Sequence, residues 1–503
     1  MMHLLVIAVF VVCNLRDALE VEAPGGLSAP VAAAVSLAPM VALVGFVAVW
    51  VWGCRRRLDA ARHVREARRA ERVVAWSRPA AVALHAWNVL AVGWLDAVRA
   101  GVGDLLLVDE LLAALPPLAV FVAGWWAIYP VERRLREAML MRRFDEGLHV
   151  PTLPTRRAFV LQATRHHVLF AAVPVALILG WAEAVLWLAE SAVLADAGVR
   201  AATPGLPTAP GWAIALPAWA VRPELVAPVQ GVLQLAGVVV VIALLPLALR
   251  WLWDTVPLGA GELRDRLERV LRSNGVRVRG LLVWRTDGTL LNGAVVGFLG
   301  PARYVLLTDA LLESLPTDEV EAVMAHEVGH VWHRHAPWLA VAFLGCATVA
   351  GAGASAMGRV LGMDPVNGWP AIGVVMVSLA FGLAVFGYVS RRFEWQADAF
   401  AARYLSESVH PPPPEAAGTV SHEAACAMAS ALGRVAMLNG SEPERFSWRH
   451  GSIGLRRRRL RALVGAPLDR MRIDAVARRV KLSSAIVGAA ALGLVMVEVW
   501  LAS

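Results

Sequence analysis

Apolar residues in this chain gather into long blocks instead of alternating with polar ones. Blocks near the length that crosses a bilayer, about 20 residues, fall at roughly 30–52, 79–97, 110–129, 167–190, 226–252, 337–357, 370–390 and 484–502. A shorter block, 3–14, has no Lys or Arg before it and no A-x-A site after it, so it reads as a retained span, not a cleaved signal. The pattern predicts about seven to nine transmembrane helices. Between 253 and 336, and again between 391 and 483, it breaks into shorter, charged segments long enough to fold outside the bilayer.

Composition agrees with this pattern. The chain is 58% hydrophobic and 17% charged, whereas soluble domains are about 45–50% apolar and about 25% charged. The net charge of +8 is not gathered into a patch for nucleic acid, which is excluded as a partner. It lies in loops beside the apolar blocks, as the positive-inside rule expects. Seven arginines from Arg55 to Arg72, and seven from Arg133 to Arg157, assign 53–78 and 131–166 to the cytoplasm. The Pro- and Ala-rich loop 196–223 then falls outside, and 253–336 and 391–483 return to the cytoplasm. The expected division is a multi-span region 1–252, the first part of a catalytic domain 253–336, a transmembrane hairpin 337–390, its second part 391–483, and a C-terminal helix 484–503. Lys481 is the only lysine. That arginine bias points to a bacterial chain and so to the inner (plasma) membrane. Cys13, Cys54, Cys346 and Cys426 are scattered, which supports neither a cysteine metal site nor a disulfide framework.

The candidate chemistry starts at AHEVGH, residues 325–330. His326 and His330 are four apart. On an α-helix that is about 400° of rotation, so both imidazoles face one way, one turn apart. Two imidazoles so placed suit one Zn2+, and the adjacent Glu327 can take a proton from a water on the metal. SLPTDEVEAVMAHEVGH supports a helix, with Thr317 or Asp318 as its cap and apolar residues at 320, 323 and 324. HExxH fixes only three positions, so a third ligand has to decide. A metzincin would need a glycine at 333 and a histidine at 336, where this chain has His333 and Ala336. A glutamate on a second helix is the other solution. In SRRFEWQAD, 390–398, Glu394 and Asp398 are again four apart on one face, suiting a ligand and a carboxylate that supports the site. Glu407 and Glu423 lack such a partner. His333 and His335 are read as facing solvent or lipid headgroups.

HEVGH followed by SRRFEWQAD resembles the membrane zinc metallopeptidases of the HtpX and CaaX-prenyl-protease family. These show HExxH, two spans and then S-R-x-x-E-x-x-A-D; Ser390, Arg391, Glu394, Ala397 and Asp398 stand in those positions. LNGAVVGFLGPARYVLLTDALLESL, 291–315, is similar to the family's strand segment, and the resemblance implies that Asn292 lies near the substrate and oxyanion. WRHGSIGLRRRRL, 448–460, resembles its late H-P-P-L-x-E-R stretch, with His450 matching the histidine and Arg456 the arginine; Gly451 stands where a proline is usual. The resemblance covers roughly 255–465.

The expected fold is mainly α: a polytopic membrane protein with a cytoplasmic-side, gluzincin-type zinc protease domain that carries a small β-sheet. His326, His330 and Glu394 would hold one Zn2+ per chain, with Glu327 as general base. By resemblance, His450 and Asn292 would stabilise the oxyanion; Asp398 and Arg456 would support the site. His330 lies seven residues before Pro337, about 10 Å along a helix, so the site should sit close to the membrane surface. An edge strand near 292–298 would take extended substrates. The expected activity is endopeptidase cleavage of membrane-associated proteins, in quality control or processing. No oligomeric state follows. One alternative is a sensor-transducer like the β-lactam-receptor metallopeptidases, but no outward loop is long enough for a ligand-binding domain. The other is a non-catalytic scaffold, against which the intact HExxH and Glu394 argue.

Overall fold

The computed structural model describes residues 2–18, 27–61, 64–105, 107–145, 153–196, 223–286, 290–365, 368–439 and 442–502. The expected outward loop 196–223 lies almost wholly outside them. The chain divides into two compact units, Met1–Ile242 and Ala243–Ser503.

The first unit is helical: α1 (Met2–Ala18), α2 (Ala29–Ala61), α3 (Val64–Trp87), α4 (Trp94–Val102), α5 (Val108–Asp145), α6 (Arg156–Ala163), α7 (Phe170–Asp196) and most of α8 (Pro223–Leu252). Phe10, Phe121, Trp125 and Met40 close one apolar core. Val51, Ala70, Val74 and Ile128 close a second, where α2, α3 and α5 meet. The predicted span 79–97 is not straight. It breaks at Gly93, whose φ of 85° suits a residue without Cβ, and the helices on either side are bent by 73°. Among the described residues seven helices are long and apolar enough to cross a membrane, or eight if the bent pair is one span. A further apolar helix, Met2–Arg16, is shorter. The polytopic, mainly helical architecture read from the apolar blocks is borne out, and no disulfide joins the four cysteines to one another.

The second unit adds β1 (Thr255–Pro257), α9 (Glu262–Ser273), β2 (Gly280–Trp284), β3 (Gly293–Val296), β4 (Tyr304–Thr308), α10 (Asp309–Ser314), α11 (Thr317–Trp332), α12 (His335–Val360), α13 (Gly368–Ser408), α14 (His422–Leu438), α15 (Ile453–Arg461) and α16 (Arg472–Ala502). The small sheet has the order β1-β2-β4-β3. β2 and β4 run parallel, the outer pairs antiparallel, so β3 is an edge. All five residues of β4 are buried, as a strand covered on both faces should be. Leu267, Val305, Leu307, Val320, Met324, Phe400 and Met428 form the main core between sheet and helices.

Charge fixes α11, the HExxH helix, from both sides. On α9, Arg266 donates to Asp318 at 2.7 Å and to Glu321 at 2.9 Å. On α14, Ser430 and Arg434 donate to Glu319 at 2.7 and 3.1 Å. The expected side-chain cap is absent: Pro316 precedes the first turn, Thr317 is its first residue, and no side chain caps it. Asp318 is drawn instead to Arg266. Two glycines permit close approaches. A Cβ on Gly293 would come within 2.8 Å of Val323 on α11, and one on Gly345 of α12 would meet the Gly488 backbone of α16 at 3.1 Å. Small residues at such crossings are how membrane helices pack tightly.

Candidate metal centre

α11 and α13 cross so that their predicted polar residues meet. The helical period puts His326 and His330 on one face, as expected, and their Nε2 atoms are 3.1 Å apart. Glu394 enters from α13, with Oε2 at 3.6 Å from His326 Nε2 and Oε1 at 3.8 Å from His330 Nε2. One ligand-type atom from each of the three lies within 4.8 Å of the others. Donors bonded to one tetrahedral zinc at about 2.0–2.2 Å are separated by about 3.3–3.6 Å, so the residues fit Zn2+ with little adjustment. Two imidazole nitrogens facing each other beside a buried carboxylate also make chemical sense around a shared cation.

Asp398, one turn beyond Glu394, has Oδ1 at 3.0 Å from His326 Nδ1. That leaves His326 Nε2 facing the cluster. Arg456, buried on α15, donates from Nε and Nη2 to Asp398 at 2.8 and 2.6 Å. Its Nη1 lies 2.9 Å from Glu394 Oε2. His450 lies just before α15, half exposed, with Nδ1 at 2.8 Å from Glu394 Oε1. Gly451 makes this approach possible. Its φ of 73° turns the chain sharply, and Ser447 and Gly451 exchange backbone hydrogen bonds at 2.8 and 3.2 Å.

Glu327 points toward the sheet. Its Oε2 accepts from the backbone N–H of Val295 at 3.2 Å. Because Asn292 and Ala294 face β4, Val295 presents its N–H to the open edge of β3, and the carboxylate sits on that edge. Asn292 itself is exposed at the head of β3. What fixes it is main-chain bonding to Thr308, and its side chain takes no part in the His326–His330–Glu394 cluster.

The electrostatics follow from burial and from the carboxylates. Burial disfavours charge on His326, but Asp398 and Glu394 outweigh it and push its imidazole up to about 9. Burial pushes His330 down to about 3, helped by its neighbour His326. Positive charge is therefore favoured where the two carboxylates converge. Burial raises the Glu327 carboxyl above its ordinary range, against the pull of His326.

Three neighbours were not legible as part of the site. His335 faces neither solvent nor headgroups, contrary to expectation: it is 1% exposed, and its Nδ1 is 2.8 Å from His330 Nδ1. Gln396 lies 3.1 Å from its other nitrogen, and Asp474 is 2.6 Å from Gln396. Gln396 carried a weak signal, standing two residues after Glu394; Asp474, on the last helix, carried none.

Two histidines from α11 and a glutamate from α13 thus make up a three-residue metal-type cluster, with a further carboxylate, Glu327, beside it. The family model described as Peptidase family M48 matches residues 257–462, and the resemblance read from HEVGH and SRRFEWQAD is borne out over that region. A CAAX prenyl protease 1 homolog of Arabidopsis thaliana is 31% identical over 167 residues, covering 29% of this chain and 38% of the relative. A Protease HtpX homolog of Aeropyrum pernix is 38% identical over 68 residues, 14% of this chain and 21% of the relative. Another, of Nostoc sp., is 35% identical over 156 residues, 29% of this chain and 52% of the relative. The chain thus matches between 21% and 52% of the length of these relatives. Among solved structures, the crystal structure of S. mikatae Ste24p covers 87% of this chain and 99% of its own, with a TM-score of 0.35 and 12% identity.

Proposed function

We propose that this chain is a zinc-dependent endopeptidase that cleaves membrane-associated proteins at the cytoplasmic face of a bacterial inner membrane. The observation that carries the reading is the convergence of His326, His330 and Glu394 beside Glu327, with Glu327 lying on the open edge of β3. A substrate segment in extended form would add to that edge through backbone hydrogen bonds. Gly293 and Val295 would recognise its main chain, which demands little of its sequence and suits quality control or processing of many clients. The arginine-rich loops support the cytoplasmic assignment.

His326, His330 and Glu394 would hold the ion. A bound zinc supplies Lewis acidity, polarising a carbonyl and making water nucleophilic near neutral pH. Glu327 would take the proton of the attacking water and pass it to the leaving amine. Its raised affinity for a proton fits that exchange. His450, at the solvent side of Glu394, would donate to the developing oxyanion, with Asn292 contributing from the head of β3. Asp398 and Arg456 would hold His326 and Glu394 in place.

The test is Glu327→Gln in the purified full chain. Zinc content should be retained, because Glu327 is not a ligand, and hydrolysis of an unfolded reporter protein should be nearly abolished. Hydrolysis at the parent rate with zinc present would remove Glu327 as the base.

A further inference from the structure

Between α11 and α12 the chain turns over two residues. Trp332 ends one helix, His335 begins the next, and Arg334 between them has a φ of 54°. That conformation is unfavourable for a residue with Cβ. What the turn achieves is to lay His335 against His330. The His335 ring is stacked on Phe393, with centroids 4.3 Å apart and planes at 6°. From there the contacts continue outward: His330 Nδ1 to His335 Nδ1 at 2.8 Å, His335 Nε2 to Gln396 Oε1 at 3.1 Å, and Gln396 Nε2 to Asp474 Oδ1 at 2.6 Å. Asp474 is in the first turn of α16.

With a metal on His330, one placement of protons satisfies every link. If His330 turns Nε2 to a metal, its proton is on Nδ1 and is donated to His335 Nδ1. His335 is then neutral, with its own proton on Nε2, and donates to the Gln396 carbonyl. The Gln396 amide donates to Asp474, a carboxylate that only accepts. A charged His335 would set two N–H groups against each other. The two histidines of HExxH are thus supported differently. His326 has a carboxylate, Asp398, directly beside its outer nitrogen. Among the described residues, the outer nitrogen of His330 reaches one through two neutral side chains.

Resting on the reading that His330 is a metal ligand, we propose that His335, Gln396 and Asp474 are positioning residues that fix the tautomer and ring plane of His330. The C-terminal membrane helix α16 is thereby part of the scaffold of the metal centre. Two further contacts tie α16 to the same place: Lys481 donates to the His333 carbonyl at 2.7 Å, and Gly488 allows the close approach of α12 at Gly345.

The experiment measures zinc affinity of the detergent-purified full chain by competition with a chromophoric chelator, together with the visible spectrum of the Co2+-loaded protein. His335→Phe keeps an aromatic ring over Phe393 but removes the acceptor. Gln396→Leu cuts the next link. Both should weaken zinc binding about 10–100-fold, the usual cost of losing a group that orients a ligand, and shift the Co2+ spectrum. His335→Asn, whose side-chain oxygen can stand near the lost Nδ1, should recover most of the loss, which a merely structural role would not produce. Thermal unfolding of the metal-free proteins shows whether a variant folds; if His335→Phe does not, Gln396→Leu and Asp474→Ala give the same readout further out. Parental affinity in the folded variants, or no recovery in His335→Asn, overturns the proposal. His330→Ala separates the two levels. If it too keeps zinc, the ligand assignment fails; if it loses zinc while Gln396→Leu does not, only the positioning chain fails.

Discussion

Arg456 grips Asp398 with two parallel hydrogen bonds, Nε to Oδ2 at 2.8 Å and Nη2 to Oδ1 at 2.6 Å, and turns its remaining nitrogen to Glu394. All three side chains are more than nine-tenths buried. One guanidinium therefore sets the spacing of the two carboxylates around the candidate centre. Lysine carries the same charge but cannot form the planar fork. Arg456→Lys should lower zinc affinity by about 10–100-fold, read by chelator competition. Arg456→Met should also lower the melting temperature, because breaking a buried ion pair costs about 3–5 kcal/mol. Unchanged zinc affinity in Arg456→Lys would mean that the fork does not position the ligands.

Glu394 and Asp398 should separate in their effects. Glu394→Ala removes a proposed ligand and should empty the site of zinc as well as stop hydrolysis. Asp398→Ala removes only the partner of His326 Nδ1 and should leave partial occupancy, with a loss of about 10–100-fold. Metal analysis after dialysis against a weak chelator distinguishes them. Full occupancy in Glu394→Ala would place the third ligand elsewhere, and Glu407 and Glu423 would be tested next.

The β3 edge can be tested without touching the metal. The Val295 N–H points away from β4, so Val295→Pro removes that donor and leaves the ladder to β4 intact. Hydrogen bonds to charged groups contribute about 1.5–3 kcal/mol, and the same N–H would meet the substrate backbone. The expected result is a fall of about tenfold or more in kcat/KM, with zinc content unchanged. Parental kcat/KM would argue against substrate addition at this edge.

Topology is tested by labelling in a background without the four native cysteines. Glu415 is exposed on the proposed cytoplasmic side, and Met363 is exposed at the tip between α12 and α13. A cysteine at 415 should react with a membrane-impermeant thiol reagent only in opened cells. One at 363 should react in intact cells whose outer envelope admits the reagent. The reverse pattern would put the candidate active site outside and change its substrates to exported proteins.

The helices and the cluster were legible because both follow from period and length. Apolar blocks of span length and two i, i+4 pairs, His326–His330 and Glu394–Asp398, need no tertiary information. The bend at Gly93 was not legible, because the apolar block runs through it without interruption. His335 was misread for a related reason. Beside a predicted span, a histidine looks like a headgroup contact, and the left-handed turn at Arg334 brings it inward. Asp474 lies 144 residues beyond His330 in the sequence, and no local pattern links the two. His450 was placed by resemblance, and the glycine that replaces the usual proline explains how the loop still reaches Glu394.

The length of α13 has one more consequence. Its 41 residues run without a break from Gly368 to Ser408, about 60 Å at 1.5 Å per residue against a hydrocarbon layer of about 30 Å. Glu394 and Asp398 ride on the same stiff rod that crosses the bilayer, and His330 is only five residues from the start of the companion helix α12. Metal–ligand distances tolerate about 0.2 Å. Any piston motion or change of tilt that a thicker or thinner lipid layer imposes on these rods is geared directly to the carboxylate side of the centre. Bilayer thickness is in that sense a mechanical input to the candidate site, and a detergent micelle of another thickness acts on the same two rods.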